Sequence, residues 1–281
     1  MSPRRACVIG HPVAQARSPV LHRYWLKEYG IDGDYMREDV APENIREFLN
    51  NLGAHGYVGA NITAPHKAAA FLALDHAEPV TTTLKVANTI WLDDGALHGT
   101  NTDVHGFLAN LDEAVHSWTM DAEQAVVLGA GGGARAVVYG LLDRGIKRVV
   151  VVNRTLPRAQ AFTVEFGDRV TAAGFNELSA WLQDADLLVN TTSLGMAGQP
   201  PLEIDLSPLA EDAIVYDIVY VPLETPLLAA ARARGLRTVD GLGMLLNQAV
   251  PAFEKFFGLR PQVTPELREF VLADIAKGRA K

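Results

Sequence analysis

The stretch Ala125-Val126-Val127-Leu128-Gly129-Ala130-Gly131-Gly132-Gly133-Ala134-Arg135 decides how this chain folds. Its apolar run reads as a buried strand that stops at a glycine, and a helical pattern begins at Ala134. The spacing Gly129-x-Gly131-x-x-Ala134 meets three steric demands. Gly129 permits a tight turn, Gly131 lets the backbone approach a pyrophosphate, and the small Ala134 lets helix pack on strand. Free N–H groups and the positive end of the helix dipole then face the phosphates. Gly129, Ala130, Gly131, Gly132 and Gly133 are the predicted phosphate cradle.

Outward from that turn, Arg148-Val149-Val150-Val151-Val152 is a continuous apolar run, as a parallel strand buried on both faces requires. Asn153-Arg154-Thr155 follows it. A site for a plain adenosine ribose would place Asp or Glu here, whereas Arg154 and Arg158 offer positive charge to a 2′-phosphate. The expected cofactor is NADP. Further buried strands are predicted at 185–189, 213–219 and 236–239. Their ends, at Asn190–Ser193 and Tyr220, should line the nicotinamide side.

Whole-chain numbers agree with an α/β enzyme. A chain of 281 residues, 48% hydrophobic, can form two domains with substantial cores. The net charge of −8 and the lack of a basic cluster argue against nucleic acid as a partner. The single cysteine, Cys7, excludes an internal disulfide and fits a reducing compartment. No apolar run approaches the roughly 18 residues of a membrane span. The eight histidines have no metal-motif spacing, so no metal is expected. A soluble cytoplasmic protein is expected, monomer or homodimer.

The first hundred residues alternate strand and helix, which predicts a mainly parallel sheet. Ser18-Pro19 reads as a helix cap followed by proline at the first helical position. Thr63-Ala64-Pro65-His66-Lys67 turns from a strand into an alanine-rich helix. Lys67 then sits in the first turn, where the helix dipole disfavours a cation, and such a broken local rule marks a candidate for function. Asn88 lies within an apparent strand, and Asp103 opens the helix after Gly99-Thr100-Asn101-Thr102. In a parallel sheet these strand ends share one rim, where open α/β sheets bind ligands. From Met244 to Phe257 the period changes to a helix with Leu246, Val250, Phe253 and Phe257 on one face.

Taken together, Asn61–Lys67, Asn101-Thr102-Asp103, Gly129–Gly133, Asn153-Arg154-Thr155, Tyr216–Tyr220 and Gly241-Leu242-Gly243-Met244 with Gln248 resemble the shikimate dehydrogenase family, from about Cys7 to Phe257. The resemblance implies a substrate-binding catalytic domain over 1–104, a Rossmann-type NADP-binding domain over 105–240, and C-terminal helices over 241–281 that return to the first. It implies reversible reduction of 3-dehydroshikimate to shikimate by NADPH, a step toward chorismate and the aromatic amino acids. Lys67 and Asp103 match the residues at the reacting oxygen. Ser18, Thr63, Asn88, Asp103, Tyr220 and Gln248 match the substrate-binding set, and Ile218 and Gly241 join the cofactor set. A quinate or dual quinate/shikimate dehydrogenase shares most of these residues, and a non-catalytic ring-acid-binding regulator is a third alternative. Ala16-Arg17-Ser18 departs from the family's two serines, so a raised KM for the ring acid is expected.

Overall fold

The computed structural model describes residues 3–120 and 122–279. They form two compact units: the chain up to Thr102 together with the chain from Leu246 onward, and Asp103–Leu245. The sequence set boundaries after residues 104 and 240. The division falls instead after 102 and after 245, within a helix, because Gly241 and Gly243 at that helix's start pack on the second unit. A Cβ on Gly241 would clash with the Ile218 carbonyl oxygen, and one on Gly243 with Asn110 Oδ1.

In the first unit the elements are β1 (Arg4–Gly10), α1 (Ser18–Glu28), β2 (Gly33–Asp39), α2 (Ile45–Asn50), β3 (Gly59–Ile62), α3 (Lys67–Leu72), β4 (His76–Ala77), α4 (Pro79–Leu84), β5 (Thr89–Asp93) and β6 (Ala96–Thr100). The strands form one sheet in the order β2-β1-β3-β5-β6-β4. Only β5 runs against its neighbours, pairing antiparallel with both β3 and β6. Sequence reading assigned no hairpin here, yet Asp94 (φ 47°) and Gly95 (φ 81°) supply the two left-handed residues that a two-residue hairpin turn requires. One face of the sheet buries Cys7, Ile9, Leu49, Leu52, Ile62 and Ile90. Elsewhere in the unit, Trp25 on α1 meets Phe253 at 5.4 Å between ring centroids.

The second unit comprises α5 (Asp103–Ala114), β7 (Gln124–Leu128), α6 (Gly132–Asp143), β8 (Arg148–Val152), α7 (Leu156–Phe166), β9 (Val170–Ala173), α8 (Leu178–Leu182), β10 (Leu187–Asn190), β11 (Ile214–Asp217), α9 (Pro226–Ala233) and β12 (Arg237–Val239). Two further helices complete the chain, α10 (Gly241–Phe257) and α11 (Pro265–Arg279). The sheet order is β12-β11-β10-β7-β8-β9, and every pairing is parallel. From β7 the chain winds one way through β8 and β9, then restarts beside β7 at β10. That reversal opens a crevice at the carboxyl ends of β7 and β10, where doubly wound sheets take their ligands. Val126, Leu128, Val150, Val152, Leu188 and Val215 fill the core on one side of the sheet.

Candidate active site

At the end of β7, Gly129 has φ +102°, a conformation an L side chain rarely adopts, and a Cβ there would lie 2.8 Å from Thr191 Oγ1. Its N–H donates to the Val152 carbonyl at 2.8 Å, tying the turn to β8. Thr191, just past β10, donates its hydroxyl to the Leu128 carbonyl at 2.6 Å and braces the turn from the other side. The first backbone donor of α6 with an i−4 partner is Arg135, to Gly131 at 3.2 Å. The amides of Gly132, Gly133 and Ala134 therefore point out of the helix start. A Cβ at Gly131 or Gly132 would meet nothing within 4 Å, so side chains there would stand in the space before that helix end. A dinucleotide phosphate fits this cradle.

Asn153 folds the end of β8 by donating Nδ2–H to the Thr155 carbonyl at 2.9 Å. Arg154, Thr155 and Arg158 are exposed. Among the described residues neither arginine forms an ion pair, so neither charge is neutralised by a neighbour. Ile218 reaches the same turn, since a Cβ on Gly133 would lie 3.1 Å from its Cδ1. The loop carrying Ile218 and Tyr220 is anchored by Asp217, whose role the sequence did not disclose. Its buried carboxylate accepts from Thr225 Oγ1 (2.7 Å), the Val219 N–H (3.0 Å) and Asn190 Nδ2 (2.9 Å). Burial raises the Asp217 pKa, and those three donors oppose the rise.

In the first unit, one sheet edge gathers the substrate-type residues. Thr63 follows β3, and its N–H donates to the Ile9 carbonyl at 2.9 Å. Lys67 is the first residue of α3, as expected, and its carbonyl accepts the Ala87 N–H at 3.0 Å. Asn88 lies just ahead of β5 rather than inside it, and the reversed direction of β5 brings that start to the edge where β3 ends. The Asn88 carbonyl accepts the Ile62 N–H at 2.7 Å, and Asn88 Oδ1 accepts the Thr102 N–H at 2.7 Å. Thr102 Oγ1 in turn lies 3.4 Å from Oε1 of Gln248 on α10, so Asn88 and Gln248 are two links apart.

Ser18 differs from expectation. It is the first residue of α1, the cap position belongs to Arg17, and no side chain caps the helix. Its hydroxyl bears instead on the buried Tyr35 phenol. Asp103 opens α5 in the second unit and is 9% exposed, and Tyr220 lies in the loop after β11. Sequence reading gave no role to two residues of this edge. Tyr35 and Asn61 are buried and joined at 2.6 Å. The signal was there for Asn61, because asparagine is disfavoured in a strand buried as deeply as β3.

The comparisons with known proteins cover the same ground. The family model for the shikimate dehydrogenase substrate binding domain matches residues 8–90. That for shikimate / quinate 5-dehydrogenase matches residues 111–197, and that for the shikimate 5′-dehydrogenase C-terminal domain matches residues 241–265. A shikimate dehydrogenase (NADP(+)) of Azorhizobium caulinodans is 56% identical over 273 residues, 97% of each chain. Among solved structures, the shikimate 5-dehydrogenase of Thermus thermophilus in complex with NADP(H) and shikimate has a TM-score of 0.86 at 34% identity, covering 97% of this chain and 99% of that one. A quinate dehydrogenase of Corynebacterium glutamicum in complex with NAD has a TM-score of 0.88 at 33% identity, covering 96% and 99%. With three family models in register and a relative of this identity over nearly its whole length, the chain belongs to the shikimate dehydrogenase family.

Proposed function

We propose that the chain is an NADP-dependent shikimate dehydrogenase, an oxidoreductase that reversibly reduces 3-dehydroshikimate to shikimate on the way to chorismate and the aromatic amino acids. The first unit is the ring-acid domain, and Asp103–Leu245 is the cofactor domain. The observation that carries the choice of cofactor is the end of β8, which offers two exposed arginines without ion pairs and no carboxylate. Arg154 and Arg158 would hold the 2′-phosphate, and Asn153 and Thr155 would shape that turn. Gly129–Gly133 would take the pyrophosphate, with Ile218 and Gly241 bordering the nicotinamide.

Bound there, the cofactor supplies the hydride that reduces the C3 carbonyl. Negative charge then grows on the C3 carbonyl oxygen, and a lysine ammonium both stabilises it and delivers a proton. We assign that proton to Lys67 and give Asp103 the carboxylate role in the same transfer. Ser18, Thr63, Asn88, Tyr220 and Gln248 would hold the carboxylate and hydroxyls of the ring. The reading includes a cytoplasmic location and a monomer or homodimer acting on a small ring acid. For the described residues, no helix is long and apolar enough to cross a membrane.

Initial rates with shikimate and quinate, each with NADP⁺ and NAD⁺, test the proposal. Shikimate with NADP⁺ should exceed every other pair in kcat/KM by about ten-fold or more, the scale of one or two charge-assisted hydrogen bonds. A preference for quinate with NAD⁺ would overturn it.

A further inference from the structure

Behind the rim of the first unit runs a buried line of hydrogen bonds. The fully buried Tyr35 hydroxyl donates to Asn61 Oδ1 at 2.6 Å. The Asn88 carbonyl can only accept, so the amide turns Nδ2 toward it at 3.3 Å and toward Thr89 Oγ1 at 2.9 Å, leaving Oδ1 for Tyr35. Thr89, having accepted from Asn61, lies 3.2 Å from both Asn88 Oδ1, to which its hydroxyl can donate, and Thr102 Oγ1. Burial raises the Tyr35 pKa, and the Ser18 side chain opposes the rise. The Tyr35 ring is held by His22, stacked at 4.1 Å and 8°, and by Phe256 at 6.4 Å. His22 is fully buried, and its ring nitrogens have no hydrogen-bond partner among the described residues. Burial lowers its pKa to about 3, so near neutral pH it brings no charge against the phenol.

We propose that Tyr35 is a positioning residue for the ring-acid site: its hydroxyl fixes the Asn61 amide and, through Thr89, the side chain of Asn88. Without the phenolic proton, Asn61 Oδ1 loses its Tyr35 donor, and the amide loses the anchor that aims Nδ2 at Thr89 Oγ1. The Thr89 hydroxyl then loses the donor that orients it toward Asn88 Oδ1. Asn88 Oδ1 would keep the Thr102 N–H and hydroxyl but lose the Thr89 contact that completes its fixing.

The inference rests on the ring-acid reading, and turnover of shikimate by the parent protein checks that reading separately. Tyr35→Phe removes only the hydroxyl. Its KM for shikimate should rise about ten-fold while kcat and the KM for NADP⁺ stay within about two-fold, since one neutral buried hydrogen bond is at stake. Thr89→Val cuts the same line one link further on and should act alike. Because both variants break one connection, the double variant should raise KM no more than the larger single change. A parent active on shikimate with an unmoved KM in Tyr35→Phe, whatever its melting temperature, would make the hydroxyl merely structural. Multiplicative KM changes in the double variant would likewise overturn the relay. Should Tyr35→Phe fail to fold, Thr89→Val decides alone, and a KM within two-fold of the parent there overturns the proposal.

Discussion

At the scale of the residue, the backbone of Ala16 is already committed. Its N–H donates to the Val13 carbonyl at 3.0 Å, and its carbonyl accepts Nη2 and Nε of Arg37 at 2.8 and 3.1 Å. Arg17 next to it is held by Asp274 at 2.6 Å. A substitution at 16 therefore changes the side chain and little else. Under the proposed function, Ala16→Ser adds one hydroxyl donor for the substrate carboxylate. A hydrogen bond to a charged group contributes roughly 1.5–3 kcal/mol, about ten- to a hundred-fold in binding. The KM for shikimate should fall by about ten-fold with little change in kcat, because the carboxylate is held alike in ground and transition states. An unchanged or higher KM in steady-state assays would show that the loop holds the acid by other groups. Ala16 was legible in the sequence as a departure from the family. Arg37 was not, because an exposed arginine discloses its partner only once β2 lies beside β1 and the loop after β1 comes back over it.

At the scale of the element, the glycines divide into two kinds that sequence spacing does not separate. Gly131 and Gly132 face open space, whereas Gly241 and Gly243 admit another stretch of chain. A Cβ on Gly241 would clash with the carbonyl oxygen of Ile218 and meet that of Val219 at 2.8 Å, and backbone does not rotate away as a side chain end does. Overpacking of this kind costs about 1–3 kcal/mol. Gly241→Ala should therefore lower Tm by about 2–5 °C for a chain of this size. Gly132→Ala should leave Tm within about 1 °C and instead weaken NADP⁺ binding, since its methyl group would occupy the phosphate side of the helix start. Differential scanning calorimetry and NADP⁺ titration on both variants check the pair; a Gly132→Ala protein that melts low and binds normally would reverse the assignment. The motif Gly241-x-Gly243 was visible in the sequence as a family feature, and only Gly241 of it was given to the cofactor. Its packing duty was hidden, because the partners Ile218 and Asn110 lie far away along the chain.

At the scale of the whole molecule, the second unit was the more legible because its central strands obey one rule, although β9, with only two of its four residues buried, went unread. Continuous apolar runs such as Val149–Val152 announce parallel strands buried on both faces, and all pairings in that sheet are parallel. The first sheet mixes directions, and the reversed β5 disturbed the reading of Asn88; the Asp94-Gly95 turn was the available signal. Two units with separate sheets make a further expectation about stability. A ligand that binds only folded protein stabilises what it holds by RT ln(1 + [L]/Kd), about 2.7 kcal/mol at a hundred times Kd. Amides that exchange through opening of one unit feel only the ligand of that unit, whereas those needing global unfolding feel both. With NADP⁺ alone at a hundred times its Kd, hydrogen exchange should slow by up to about a hundred-fold in β7, β8 and the start of α6, and much less in β1 and β3. Shikimate alone should reverse the pattern, protecting β1, β3 and the segment around Asn88. Protection of β1 and β3 by NADP⁺ alone would move the cofactor to the first unit and undo the division of labour.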